Sequence, residues 1–279
     1  MSTLNSTTVA TRPTNLNNTT DVGKSYFETD SNKILVWDGS FFNEWNADLT
    51  SFNSYSVDFD GTDDYMKTTG FTLGAAYSFS LWFNLDTSPS STTLLNSEHY
   101  FTSGYENFVY RITNSTTIAL FSYSGNSGAT AQTITLTVPT LSTGTWYNLV
   151  LTNTGSGSAQ GYLDGSTVTT SGSTSRSFTD LQNSKGLIVG DNLTNNNSPF
   201  NGKIDEVAVF NYSLSSSDVT AIYNGGTAGD LDNLTTGPLG WWRMGDNDSG
   251  TGTTITDQGS GGNNGTLVNG PTYSNSVPV

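Results

Sequence analysis

The sequence predicts an all-β protein: a two-sheet antiparallel sandwich of the jelly-roll type, with a small N-terminal β-meander and one short helix. Three observations carry this expectation. Charged residues make up only 12% of the 279, against ~25% in ordinary soluble proteins. Ser, Thr, Asn and Gly stand in their place, a mix that disfavours helix and suits turns. Six Trp, 13 Tyr and 14 Phe supply the apolar surface a core requires, which argues against disorder. From Tyr55 onward, short runs alternate apolar and polar residues between turn residues, the mark of half-buried strands.

Taken in order, residues 1–20 are Thr/Asn-rich and without periodicity. They read as an arm, extended or disordered until it meets a partner, because it cannot bury enough apolar area to offset its backbone entropy. In Ser25–Trp45, SYFET, ILVWD and FFNEW are separated by turn residues, which predicts a three-strand meander too small to stand alone. Residues 1–50 are therefore one module and 51–279 another, with 46–53 as connector. The second module's expected strands lie in SVDFD, at 77–86, 107–113, 117–124, 133–138, 145–152, 161–165, 186–191 and 202–211. Many short strands at this spacing indicate a sandwich rather than a parallel α/β fold. LSSSDVTAIYNGG is the one helix, with Ser215 as N-cap, Asp218 at the third helical position, a Val219/Ile222/Tyr223 stripe and Gly225 as stop.

Net charge is −15, from 24 acids against 9 bases. No basic cluster exists to track a phosphate backbone, so nucleic acid is not an expected partner. The absence of Cys removes disulfides, thiolate zinc sites and Cys nucleophiles. The single His, His99, cannot build a His-rich centre, and it reads as a surface or hydrogen-bonded structural residue. No apolar run approaches the ~20 residues of a membrane-spanning helix, and MSTLNSTTVATRPTN lacks the regions of a secretory leader.

SVDFDGTDDYM (56–66), YSFSLWFN, the TWYNLVLT and GYLDG pair and GKIDEVAVFNYSLSSSDVTAIYNGG (202–226) together resemble the laminin-G-like, concanavalin A-like jelly roll over roughly residues 55–270. In such domains a segment similar to GWWRMGDNDSGTGTTITDQGSGGNNGTLVNG precedes the FDG-x-DD motif, whereas here it follows the helix at 240–270. The resemblance therefore implies a circular permutation, with 240–270 supplying the family's first strand. Gly240–Gly245 is expected beside Lys203–Phe210, with Gly265–Val268 on the same domain. Trp241 and Trp242 should part across the sheet, one entering the core and the other, far less costly to remove, on the outer face or under a loop. TRPTN and GKSYFETDSNKILVWDGSFFNEW resemble a short module of bacteriophage structural proteins, including those of marine phages.

The resemblance also implies a Ca²⁺ held by Asp60, Asp63, Asp205 and Glu206, since related domains bind the ion near this corner. The other reading of these acids is that they cap turns and hold loop amides, as Asp commonly does. GDNDSG (245–250) begins like an EF-hand loop but has no Glu at the twelfth position. A glycan would need an exposed aromatic platform beside polar loop residues, for which Tyr100, Phe101 and Tyr105 are the candidates. No catalytic residue is expected. The glucanase pattern E-x-D-x-x-E has one near match, Glu28 to Lys33, with Lys in the last place and outside the jelly roll. Asp205 and Glu206 are adjacent on a strand, so regular alternation would point them to opposite faces.

These readings converge on a non-enzymatic bacteriophage virion structural protein, a capsid decoration, fibre or appendage. Residues 1–50 would attach to other virion proteins or to sibling subunits in a homo-oligomer. The sandwich would be displayed at the particle surface, with a host-surface glycan as a further partner. The alternative is a carbohydrate-binding adhesin or lectin module of viral or bacterial origin.

Overall fold

In the computed structural model, the backbone is described for residues 5–7, 25–28, 33–37, 42–45, 53–97, 106–124, 132–174, 186–191 and 198–279. Side chains are described for 53–97, 108–123, 132–174, 186–191 and 198–279. Met1–Phe52 and Asn53–Val279 are separate compact units. In the first, β1 (Asn5–Thr7), β2 (Ser25–Glu28), β3 (Lys33–Trp37) and β4 (Phe42–Trp45) form one sheet in chain order. Strands β2, β3 and β4 make the antiparallel meander expected of Ser25–Trp45. β1 adds in parallel, with Asn5 opposite Tyr26, so three residues of the stretch read as an arm belong to a sheet. An edge strand is held by backbone hydrogen bonds, which require no apolar periodicity.

The second unit contains β5 (Ser56–Asp60), β6 (Tyr65–Thr68), β7 (Ala76–Leu85), β8 (Thr92–Ser97), β9 (Glu106–Asn114) and β10 (Thr117–Ser124). It continues with β11 (Gln132–Thr137), β12 (Trp146–Thr154), β13 (Ala159–Leu163), β14 (Ser166–Gly172), β15 (Leu187–Val189) and β16 (Asn201–Phe210). After helix α1 (Ser216–Tyr223) come β17 (Gly240–Trp242), β18 (Thr254–Ile255), β19 (Gly265–Val268) and β20 (Thr272–Ser274). The first sheet runs β14-β13-β12-β7-β16-β5-β20 with β17 also on β16, and the second runs β18-β19-β6-β15-β8-β9-β10-β11-β14. β14 serves both, its first residues on β13 and its last on β11. It is reached through Asp164-Gly165, whose φ values of 50° and 71° are the left-handed pair that a tight two-residue hairpin demands.

Alternate residues of both sheets meet between them. Phe59, Leu81, Leu120, Ile134 and Val207 are fully buried there, and the Phe79 and Phe108 rings lie 4.9 Å apart. Each such side chain contributes ~1.5–3 kcal/mol, so this layer holds the sandwich together. A second apolar layer covers much of the first sheet's outer face: Val150, Ala208 and Phe210 of the sheet against Val219 and Ile222 of α1 and Leu231 of the segment that follows.

The helix forms where the sequence places it. The Ser215 side chain accepts from the Asp218 N–H and the Asp218 carboxylate accepts from the Ser215 N–H, a reciprocal cap. Asn224, left-handed at φ 47°, ends it one residue before Gly225. Among the described residues no helix is long and apolar enough to cross a membrane.

Residues 240–274 contribute strands to both sheets. β17 lies on β16 with Trp242 opposite Val207 and Trp241 opposite Ala208. β19 pairs with β6 and β20 with β5. Trp242 enters the core between the sheets and Trp241 the layer under α1, as two-residue alternation requires. Both rings are buried, Trp241 at 2% and Trp242 at 0% exposure. The expectation that one of them sits in a cheap outer position is thereby corrected, because α1 and its following segment make a second core on that face.

Candidate functional site

Along one edge of β16, β5 pairs with residues 201–204 and β17 with residues 207–209. The seam between these two partners falls at Asp205 and Glu206, where the pairing with β7 also shifts register. Glu206 takes φ 48°, a conformation few residues other than Gly adopt without support. The resulting bulge overturns the expectation of opposite faces. Asp205 and Glu206 turn to the same place and, with Asp246, offer carboxylate oxygens within 4.8 Å of one another.

Every oxygen of this buried group has a donor. Asp205 accepts from Asn53 Nδ2 (2.8 Å) and from the Glu206 N–H (2.8 Å). Glu206 accepts from Trp241 Nε1 (2.5 Å) and Arg243 Nε (3.0 Å). Asp246 accepts from the N–H groups of Ser54 (2.7 Å) and Tyr55 (3.2 Å), and lies 3.4 Å from Arg243 Nη2. Arg243 in turn lies 5.3 Å from the Trp241 ring centroid. Burial raises Asp205 well above the usual carboxylate range, and the neighbouring Glu206 charge adds to this. Burial likewise pushes Glu206 up to about 7, against the pull of Arg243 and the Trp241 hydrogen bond. The network joins three stretches far apart in sequence: 53–55, 205–206 and 241–246.

Asp60 and Asp63 are not brought to this place. Asp60 stands opposite Asn201, four residues along β16 from Asp205, about 13 Å at ~3.3 Å per residue. They group instead with Asp64, again with oxygens within 4.8 Å. Here Asp60 accepts from the Thr62 N–H (2.7 Å) and Asp64 from the Asp60 N–H (3.0 Å), so turn capping is part of their role. Asp60 and Asp63 are exposed. The four acids that the resemblance implies as one calcium site thus fall into two groups. A hard divalent ion suits the Asp60/Asp63/Asp64 oxygens. The buried group does not fit it, because the Arg243 guanidinium already occupies the cation position between Glu206 and Asp246. The acids of GDNDSG are likewise in use: Asp248 accepts from the Thr256 N–H (2.9 Å) and hydroxyl (2.6 Å).

The outer face of the second sheet differs from that of the first. Lys67, Ile188, Asn96, Val109, Phe121 and Thr133 stand opposite one another on successive strands. Arg111, two residues along β9, reaches Phe121 with its guanidinium carbon 4.6 Å from the ring centroid. Lys67, Val109, Arg111, Phe121 and Thr133 are half-buried, and Ile188 and Asn96 are buried. This face combines an aromatic ring, a cation and several hydroxyl and amide groups. Sequence reasoning missed Arg111, Arg243 and Asp246. The first was readable as a cation on the polar side of an alternating strand, the others as the R-x-x-D within GWWRMGD. Tyr100, Phe101, Tyr105 and His99 lie outside the described residues.

A family model described as "Concanavalin A-like lectin/glucanases superfamily" matches residues 60–220. Among curated proteins, no sequence matches the chain. Among solved structures, the chain is similar to a Bacteroides ovatus protein described as a candidate carbohydrate-binding protein: 17% identity, 92% of this chain and 71% of that one, TM-score 0.57. It also resembles domain 4 of the Geobacillus stearothermophilus arabinanase AbnA in complex with arabinotriose, at 20% identity, 59% and 74% coverage and TM-score 0.45. A third is the sialidase module CBM40 of Ruminococcus gnavus bound to α2,3-sialyllactose, at 12% identity, 60% and 96% coverage and TM-score 0.46.

Proposed function

The chain belongs to the concanavalin A-like lectin/glucanases superfamily, and from that premise we propose that its sandwich is a non-catalytic carbohydrate-binding module. The observation that carries the proposal is the contrast between the outer faces. The first is largely covered by α1 and the segment after it, while the second carries Arg111 and Phe121 among half-buried polar side chains. A pyranose presents an apolar C–H face and a rim of hydroxyls. A ring such as Phe121 meets the first, and a group such as the Thr133 hydroxyl meets the second. A glycan array on the full chain tests this. Binding should appear, and Phe121→Ala should weaken it about tenfold. An array with no binder, or binding indifferent to Phe121→Ala, would overturn the proposal.

The setting we propose is the surface of a bacteriophage particle, with Met1–Phe52 as the attachment module and the sandwich displayed. The support is the motif resemblance of TRPTN and GKSYFETDSNKILVWDGSFFNEW, together with the division of the chain after Phe52. Mass spectrometry of purified particles checks it, and deletion of residues 1–50 should abolish attachment and self-association. A permuted origin of 240–270 is supported by β20 pairing with β5, which brings the start and end of the unit side by side, as permutation requires. For calcium, Asp60, Asp63 and Asp64 are the proposed holders, and the ion's contribution there would be to rigidify the loop after β5.

A further inference from the structure

Among the described residues, Lys203 meets the carboxylates of Asp58 and Asp86, and Arg243 those of Glu206 and Asp246. Arg111 meets none, in a chain of net charge −15. Its guanidinium rests against the Phe121 ring, and its Nε is buried without an acceptor. Thr93 lies directly opposite Arg111 in the β8–β9 register, and its hydroxyl is also buried without a partner. Directly opposed residues of an antiparallel pair share a face, so two unsatisfied donors stand side by side. On the other flank Arg111 faces Ala119. Buried polar groups without partners are rare enough to call for an explanation, and a planar guanidinium fork is matched by the two oxygens of a carboxylate.

We propose that Arg111 reads a carboxylate on the sugar, so that the ligand is an acidic oligosaccharide bearing a uronic or sialic acid. Thr93 would be a second donor, and Phe121 the surface on which guanidinium and pyranose ring rest. This rests on the carbohydrate-binding reading above.

The test is calorimetric titration of the full chain with uronic-acid-bearing, sialylated, sulfated and neutral oligosaccharides, for the wild type, Arg111→Lys and Arg111→Met. A carboxylated sugar should bind at least about tenfold tighter than its neutral counterpart, a comparison that needs no variant. Whether the uronate or the sialate binds identifies the source, and either supports the proposal. Arg111→Met should lose roughly tenfold to a hundredfold of that affinity, while Arg111→Lys, a point charge without the fork, should recover only part. Equal binding of acidic and neutral sugars, or acidic binding that survives Arg111→Met, overturns this inference and leaves the carbohydrate-binding function standing. Tighter binding of the sulfated sugar overturns the carboxylate assignment alone. Failure of every sugar to bind removes the function itself.

Discussion

Asp205, Glu206 and Asp246 form one acidic group and Asp60, Asp63 and Asp64 another, each with oxygens within 4.8 Å of one another. In the first, all oxygens accept hydrogen bonds and Arg243 sits between two of the carboxylates. In the second, Asp60 and Asp63 face solvent, and Asp60 and Asp64 cap the backbone N–H groups of Thr62 and Asp60 locally. The same residue type is thus a structural clamp in one place and an open oxygen cluster in the other. Burial and the supply of donors decide which, not the number of acids. The clamp lies where β5 and β17 meet on β16, and so ties the start of the unit to its C-terminal segment.

The largest effect should come from removing what the clamp holds. A chain ending at Gly226 loses β17 to β20 and exposes the edges of β16, β5 and β6, so it should show no cooperative melting transition. Trp242→Ala, and equally Trp241→Ala, should cost ~3–5 kcal/mol in urea unfolding, since both rings are buried. A small loss for Trp241→Ala would mean that the layer under α1 is not a true core. Arg243→Met leaves Glu206 and Asp246 facing each other without their cation and should cost ~3–5 kcal/mol as well. A near-neutral outcome would show that the clamp is dispensable.

A titration separates the groups more finely. Glu206 is held near pH 7 in the folded protein, against 4.5 ordinarily, so the folded state binds the proton more tightly than the unfolded state. Stability from this group is fully present below about 4.5 and is lost as pH rises through about 7. The melting temperature should therefore fall between pH 5.5 and 8.5, and Glu206→Gln should flatten that slope. An unchanged slope in the variant would assign the pH dependence to the general excess of negative charge.

The smallest effect belongs to the open cluster. Asp63→Asn should change metal-free stability by less than ~0.5 kcal/mol. In the wild type, added Ca²⁺ should raise the melting temperature, and Asp63→Asn should abolish that rise. A rise that persists in Asp63→Asn would place the ion elsewhere or nowhere specific.

Much of this was readable in the residues. Period-two runs located β7, β9, β10, β12 and β16, and the Ser215/Asp218 pair located the start of α1. Short strands such as β6, β8 and β14 escaped, because TTLLNS and STVTTSG carry too few alternating apolar positions to stand out. For β14 the Asp164-Gly165 turn was the available signal.

What the sequence by itself determined is the long alternating strands, the single helix, the opposite destinations of Trp241 and Trp242 and the absence of thiol or His-rich chemistry. Those follow from local periodicity and composition, which act within a few residues. The tertiary structure alone decided which acids share a site. A bulge with Glu206 at φ 48° reverses the face that alternation assigns, and only the meeting of residues 53–55 with 241–246 supplies the donors that make three buried carboxylates tolerable. Likewise, Arg111 is an ordinary polar-face residue in its strand. That its Nε is buried without an acceptor, beside Thr93 and against Phe121, depends on neighbours brought in from other strands, and no local pattern encodes that.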